Sequence, residues 1–208
     1  MARHALRRGT IALAILAVYA VHLACYLTID AINSHRVAHR LLLPGEARIP
    51  FVPAWGSVYA LAYVFPLVAI FTLRKADRVV RLLVAIGLAM AVTYSCFLAL
   101  PVEVPRPALD VHSVGSFLLS LQYRWDKPYN AFPSLHVAYC WLVTLASWDR
   151  TPWRVPLVAL VAAISASTLF VKQHYAVDVL AGLGVAQAAW AAAGPLARRL
   201  SSSIAETA

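Results

Sequence analysis

Long apolar runs, separated by short polar clusters, recur from the beginning of the chain to its end. A helix needs about 20 mostly apolar residues to cross a bilayer, with a range of about 17–25. Six stretches meet that requirement: Thr10–Ile29, Phe51–Leu73, Val79–Leu100, Phe132–Trp148, Trp153–Val171 and Tyr175–Leu196. The pattern predicts an all-α, polytopic membrane protein, a six-transmembrane-helix bundle that makes residues 1–208 a single integral membrane domain. Asp149, Arg150 and Pro152 give the fourth and fifth stretches a tight connecting turn. Between the fifth and sixth, Lys172-Gln173-His174 interrupts an otherwise apolar run. Two connections are longer than a turn, Asp30 to Pro50 and Pro101 to Ala131. In the second, the spacing of Phe117, Leu118 and Leu121 predicts a short interfacial helix over Val114–Tyr123. The polar tail from Ser201 to Ala208 is expected to fray.

Composition narrows the class further. Soluble domains average about 45–50% apolar and about 25% charged residues. Here 62% of 208 residues are hydrophobic and 13% are charged, and the mean hydropathy is +0.71. A water-soluble fold of this size could not bury that much apolar surface, and a disordered chain would not carry it. Cys25, Cys96 and Cys140 lie within apolar runs, which speaks against a disulfide scaffold. The net charge of +9 is no sign of nucleic acid, because the basic residues punctuate the apolar segments and form no stripe interleaved with aromatics. They report topology instead. With a cytoplasmic N-terminus, eleven of the 18 Lys and Arg residues fall inside, among them Arg3, Arg74, Lys75, Arg150 and Arg198. The expected orientation is N-in and C-in.

Ionisable groups near membrane helices are costly unless they are partnered, so each is a functional candidate. Most of those here gather at the outer ends of the third to sixth stretches. Arg106 follows the third, His136 lies one turn into the fourth, Lys172 and His174 sit where the fifth gives way to the sixth, and Asp178 follows on the sixth. His174 and Asp178 are four apart, which on a helix places them on one face. A carboxylate there fixes the imidazole tautomer and leaves the other ring nitrogen as nucleophile or acceptor. Pro133 suits a first helical turn, and the amides near Ser134 and Leu135 are expected to point outward as an anion site, with the Ser134 hydroxyl added. Arg106 offers a planar fork and Lys172 a point charge for phosphate oxygens. Each feature alone has an ordinary structural reading: a paired histidine, a proline-started helix, or a snorkelling cation. Together on one membrane face they are what phosphoryl transfer through a histidine needs. His35 and His39 are also four apart in the first long connection. A metal there would need further ligands, and a loop histidine pair is ordinarily solvated.

These residues resemble the type 2 phosphatidic acid phosphatase superfamily, which carries blocks of the form KxxxxxxRP, PSxH and SRxxxxxHxxxD. The second block is Pro133-Ser134-Leu135-His136 and the third is Ser167 through Asp178; all three fall within residues 99–182. Two positions depart from the pattern, with Ala99 where the first block has lysine and Thr168 where the third has arginine. The run Lys172-Gln173-His174-Tyr175 is similar to the inositol phosphorylceramide synthase-like branch. The resemblance implies His174 as a nucleophile forming a phosphohistidine, Asp178 orienting it, and His136 as acid and then base. It implies that Arg106, Ser134 and Lys172 hold the phosphate. It further implies a lipid phosphate substrate among membrane lipids, no metal and no cofactor, and a site on the outer face of a bacterial inner membrane. Hydrolysis and head-group transfer share the covalent half-reaction, so both stay open. A transporter whose pathway these groups line, or a degenerate enzyme lacking the two cations, is the rival from another class.

Overall fold

A computed structural model describes residues 6–148, 152 and 154–207. Arg3, Asp149, Arg150 and Trp153 therefore lie outside the described residues. The helices are α1 (Arg8–Asn33), α2 (Gly56–Val64), α3 (Val68–Thr72), α4 (Ala76–Ala99), α5 (Val114–Trp125), α6 (Leu135–Ser147), α7 (Arg154–Phe170) and α8 (Ala176–Thr207). Short 3-10 turns precede α2 at Pro53–Trp55 and join α2 to α3 at Phe65–Leu67. No β-sheet is present among the described residues.

Among the described residues, four helical segments are long and apolar enough to cross a membrane: Arg8–Asn33, Pro53–Thr72, Ala76–Ala99 and Ala176–Arg199. The chain is a multi-pass membrane protein, and the expectation of six spans is corrected to four. The two stretches that fall short are α6, with 13 residues, and α7, with 17. At 1.5 Å per residue, α6 rises about 20 Å and α7 about 26 Å, against a hydrocarbon thickness of about 30 Å. Helix α6 starts late because the preceding backbone is committed elsewhere. Ala131 N–H donates to Val102 O at 3.2 Å and Ser134 N–H to Asp178 O at 3.0 Å. Ser134 then caps the helix by accepting from Val137 N–H at 3.4 Å. The apolarity of α6 reflects burial in protein rather than lipid: Val137, Ala138, Cys140, Leu142 and Ala146 are completely covered. Helix α7 ends in a turn in which Lys172 takes φ 53°. The expected short helix after Val114 appears as α5, started by a reciprocal Ser113–Ser116 capping box. The backbone of α8 runs on through Thr207, where an end at Leu196 and a frayed tail were expected.

Helices α4, α6 and α8 form the centre. Small buried residues, Ala85 and Ala89 on α4 and Ala186 and Ala193 on α8, belong to one core cluster and let helix backbones approach closely. A Cβ added at Gly182 of α8 would lie 2.4 Å from Ser134 O, so glycine is required where α8 crosses the start of α6. Lipid-facing side chains such as Leu13 and Leu16 leave α1 mostly uncovered.

The two ends of the bundle differ. Leu6 N–H donates to Arg74 O at 2.8 Å, which puts the start of α1 beside the basic Arg74-Lys75 turn. At the other end, Asn33 Nδ2 donates to Phe97 O at 2.9 Å and to Asn130 Oδ1 at 2.8 Å. There His39, Val102 and Asn130 lie side by side as isolated parallel bridges, lacing the long connections together. Buried Glu46 joins them to α8, accepting from Ala176 N–H at 2.5 Å and from Leu43 N–H at 3.0 Å.

Candidate active site

The laced end carries a mostly apolar cavity of ≈ 520 Å³. His136 and His174 share its wall with Arg106. His136 arrives on the first turn of α6, and His174 on the turn between α7 and α8. His136 Nδ1 lies 3.4 Å from His174 Nε2, and the ring centroids are 5.6 Å apart.

With both imidazoles neutral, the hydrogen bonds select one tautomer for each ring. His174 Nδ1 is 2.9 Å from Ala131 O, and a carbonyl only accepts, so Nδ1 carries a proton. Nε2 of His174 then presents its lone pair toward His136, which donates from Nδ1. His136 Nε2 in turn accepts from the Tyr59 hydroxyl at 3.1 Å, and that oxygen accepts from Gln122 Nε2 at 2.8 Å. A one-way chain runs from Gln122 through Tyr59 and His136 to His174 and ends on the Ala131 carbonyl. It holds the two rings in one orientation, with His174 Nε2 turned toward His136.

Asp178 is fully buried and 3.5 Å from His174 Nδ1, farther than the Ala131 carbonyl. Its shorter bond is the one it accepts from Tyr175 N–H at 2.7 Å, the back-reaching contact of an acidic residue in the first turn of α8. Its Oδ1 is buried without a partner among the described residues. Arg106 NH2 lies 3.3 Å from Asp126 Oδ2 and 3.2 Å from Gln173 Oε1, and NH1 donates to Asp126 O. The guanidinium stacks 4.5 Å from the centre of the Tyr123 ring. Burial pushes the Tyr123 hydroxyl above its ordinary value, and the Arg106 charge pulls the other way.

The remaining expected phosphate ligands stand back from the cavity. Ser134 is fully buried, its Oγ spent on capping α6 and its amide on Asp178 O. Lys172 Nζ donates to Ile49 O at 2.6 Å, bracing the turn that carries His174. Of the six expected residues, His136, His174 and Arg106 face the cavity, whereas Asp178, Ser134 and Lys172 lie behind it.

Sequence reasoning missed Tyr59, Gln122, Asp126 and Gln173. Asp126 takes a hydrogen bond from the Tyr26 hydroxyl at 2.5 Å as well as from Gln122 Nε2 at 3.0 Å. Asp126 and Gln173 left a signal, since one is a carboxylate in the long connection and the other adjoins His174. Tyr59 left none, being one of many aromatics in an apolar run.

Residues 17–192 match the PAP2 superfamily. Over 72 residues the chain is 38% identical to an uncharacterized protein of Methanocaldococcus jannaschii, a stretch covering 34% of this chain and 30% of that protein.

Proposed function

The chain belongs to the PAP2 superfamily, and from that premise we propose that it cleaves a lipid phosphate through a phosphohistidine on His174. The observation that carries the reading is the facing pair, His136 Nδ1 and His174 Nε2 at 3.4 Å, on the wall of an apolar cavity beside Arg106.

His174 Nε2 attacks phosphorus, and the bond from phosphorus to the lipid oxygen breaks. The departing oxygen keeps the electron pair and takes the Nδ1 proton of His136, which enters the step as an imidazolium, protonated on Nε2 as well, and leaves it as a neutral imidazole. Water, or a head-group alcohol, then gives its proton back to His136 and attacks phosphorus, releasing His174. At 3.4 Å the two nitrogens leave no room for a phosphoryl group, so binding has to part the rings. Arg106 supplies the planar fork for the developing charge, exchanging Asp126 and Gln173 for phosphate oxygens. Ser134 and Lys172 reach the phosphate only by giving up their present partners, and Asp178 acts on His174 from behind. The Lys172-Gln173-His174-Tyr175 run favours head-group transfer as the variant in which an alcohol replaces water. Arg74 and Lys75 at the opposite end favour an outward-facing site in the cell membrane.

The test is inorganic phosphate release from dioctanoylglycerol phosphate by the purified chain in detergent. His174→Ala is expected to abolish it. Release that survives the substitution contradicts the reading.

A further inference from the structure

The cavity extends beyond the imidazole pair. Tyr139 lies three residues after His136 on α6, one turn along the same face. There it meets His22 of α1, and both line the cavity. His22 Nδ1 is 2.6 Å from the Tyr94 hydroxyl and 3.1 Å from the Tyr139 hydroxyl. The rings of Tyr26 and Tyr139 close around it, with centroids 5.6 and 5.3 Å away. His22 is half-buried, and its Nε2 has no hydrogen-bond partner among the described residues. Past this cluster lies a narrower apolar cleft of ≈ 30 Å³, of which Tyr19, His22 and Tyr139 form the shared boundary.

The order along the wall is therefore reactive imidazoles, then a polar cluster one helical turn away, then hydrocarbon. A glycerolipid phosphate has the same order: phosphate, an oxygen-bearing backbone, and acyl chains. A polyprenyl phosphate has hydrocarbon directly after the phosphate. Placing such a cluster in a membrane helix is costly unless something uses it. A purely structural role would be complete with Nδ1 satisfied, and it leaves Nε2 unexplained.

We propose that His22, held by Tyr94 and Tyr139, is a specificity-determining site that hydrogen-bonds a backbone oxygen of an acylated glycerol phosphate. The proposal rests on the imidazole pair being the reacting centre. His22 touches the substrate away from the reacting atoms, so its contribution appears in discrimination between substrates.

The experiment compares kcat/KM for dioctanoylglycerol phosphate and farnesyl phosphate in native protein, His22→Phe and His22→Gln. The native protein is expected to prefer the glycerol substrate. His22→Phe is expected to lower kcat/KM for it by about tenfold, the effect of one hydrogen bond, and to leave farnesyl phosphate within about twofold. His22→Gln, which keeps a polar end, is expected to restore part of the preference. An equal fall on both substrates, or no fall on either, overturns the proposal. A parallel measurement needs no turnover: dioctanoylglycerol is expected to raise the Tm of the native protein more than farnesol does, and His22→Phe or His22→Gln to reduce that difference. Equal shifts in native protein overturn the proposal too. If neither phosphate is hydrolysed, the phosphatase reading fails by itself and the Tm comparison still decides this one.

Discussion

Replacing Tyr59 by phenylalanine removes one oxygen from the chain that orients His136 and His174. The Tyr59 ring is 1% exposed and keeps its place in the variant, packed 5.8 Å from the Tyr63 ring and 5.1 Å from the His136 ring. What disappears is the bond to His136 Nε2 at 3.1 Å. Gln122 Nε2 retains Asp126 Oδ2 at 3.0 Å and Gln173 Oε1 at 3.2 Å, so it is not left bare. His136 loses its partner from behind and with it a fixed ring orientation. Leaving a buried acceptor unsatisfied costs about 1–3 kcal/mol. If that cost falls on the transition state, kcat drops about 5- to 150-fold, because 1.36 kcal/mol is a factor of ten. The assay is steady-state phosphate release from dioctanoylglycerol phosphate, with Tm measured alongside. KM is expected to stay within about threefold, since Tyr59 holds His136 rather than the lipid. Tyr63→Phe is the control: its hydroxyl is 3.4 Å from that of Tyr59, and no contact with a His136 nitrogen is seen among the described residues, so a change under about threefold is expected. A folded Tyr59→Phe protein with native kcat would refute the argument that this chain orients the base.

Three further outcomes follow from the same geometry. Arg106→Lys keeps a charge but loses the fork that spans Asp126 and Gln173, and kcat/KM is expected to fall at least about tenfold in the same release assay. Asp178→Asn keeps an oxygen for Tyr175 N–H, so Tm should move little, while loss of the carboxylate charge behind His174 slows phosphoenzyme formation; an undiminished rate in rapid-quench experiments contradicts the orienting role. Gly182→Ala drives a methyl to 2.4 Å from Ser134 O, and the helix crossing must open at a cost of about 1–3 kcal/mol, read as a lower Tm together with weaker activity.

The approach of the two imidazoles was expected before any coordinates, because the apolar pattern put His136 and His174 at one end of their helices and the blocks Pro133-Ser134-Leu135-His136 and Ser167 through Asp178 resemble those of a family that uses two histidines together. Helix type was legible as well, since apolar runs of this length leave few alternatives. The number of spans was not. Hydropathy measures transfer out of water, and a helix buried in protein, as α6 is, scores like one buried in lipid. The fates of Ser134 and Lys172 were hidden for a related reason. A capping bond within α6 and a bond from Lys172 to Ile49, 123 residues away, depend on how the turn is folded and not on residue type. The nearer partner of His174, the Ala131 carbonyl, could not be seen at all, because every residue has a carbonyl. His22 stood alone in an apolar run, and only the packing of α1 against α4 and α6 gave it Tyr94 and Tyr139.

The central claim is a covalent bond between phosphorus and His174. The direct measurement is rapid acid-free quenching of the protein during turnover of a lipid phosphate carrying labelled phosphorus, followed by peptide mapping. Label that is stable to base, labile to acid, located on the peptide holding His174 and absent from His174→Ala is the predicted result. Phosphate released at full rate with no label on the protein, or with label on another residue, would contradict the account.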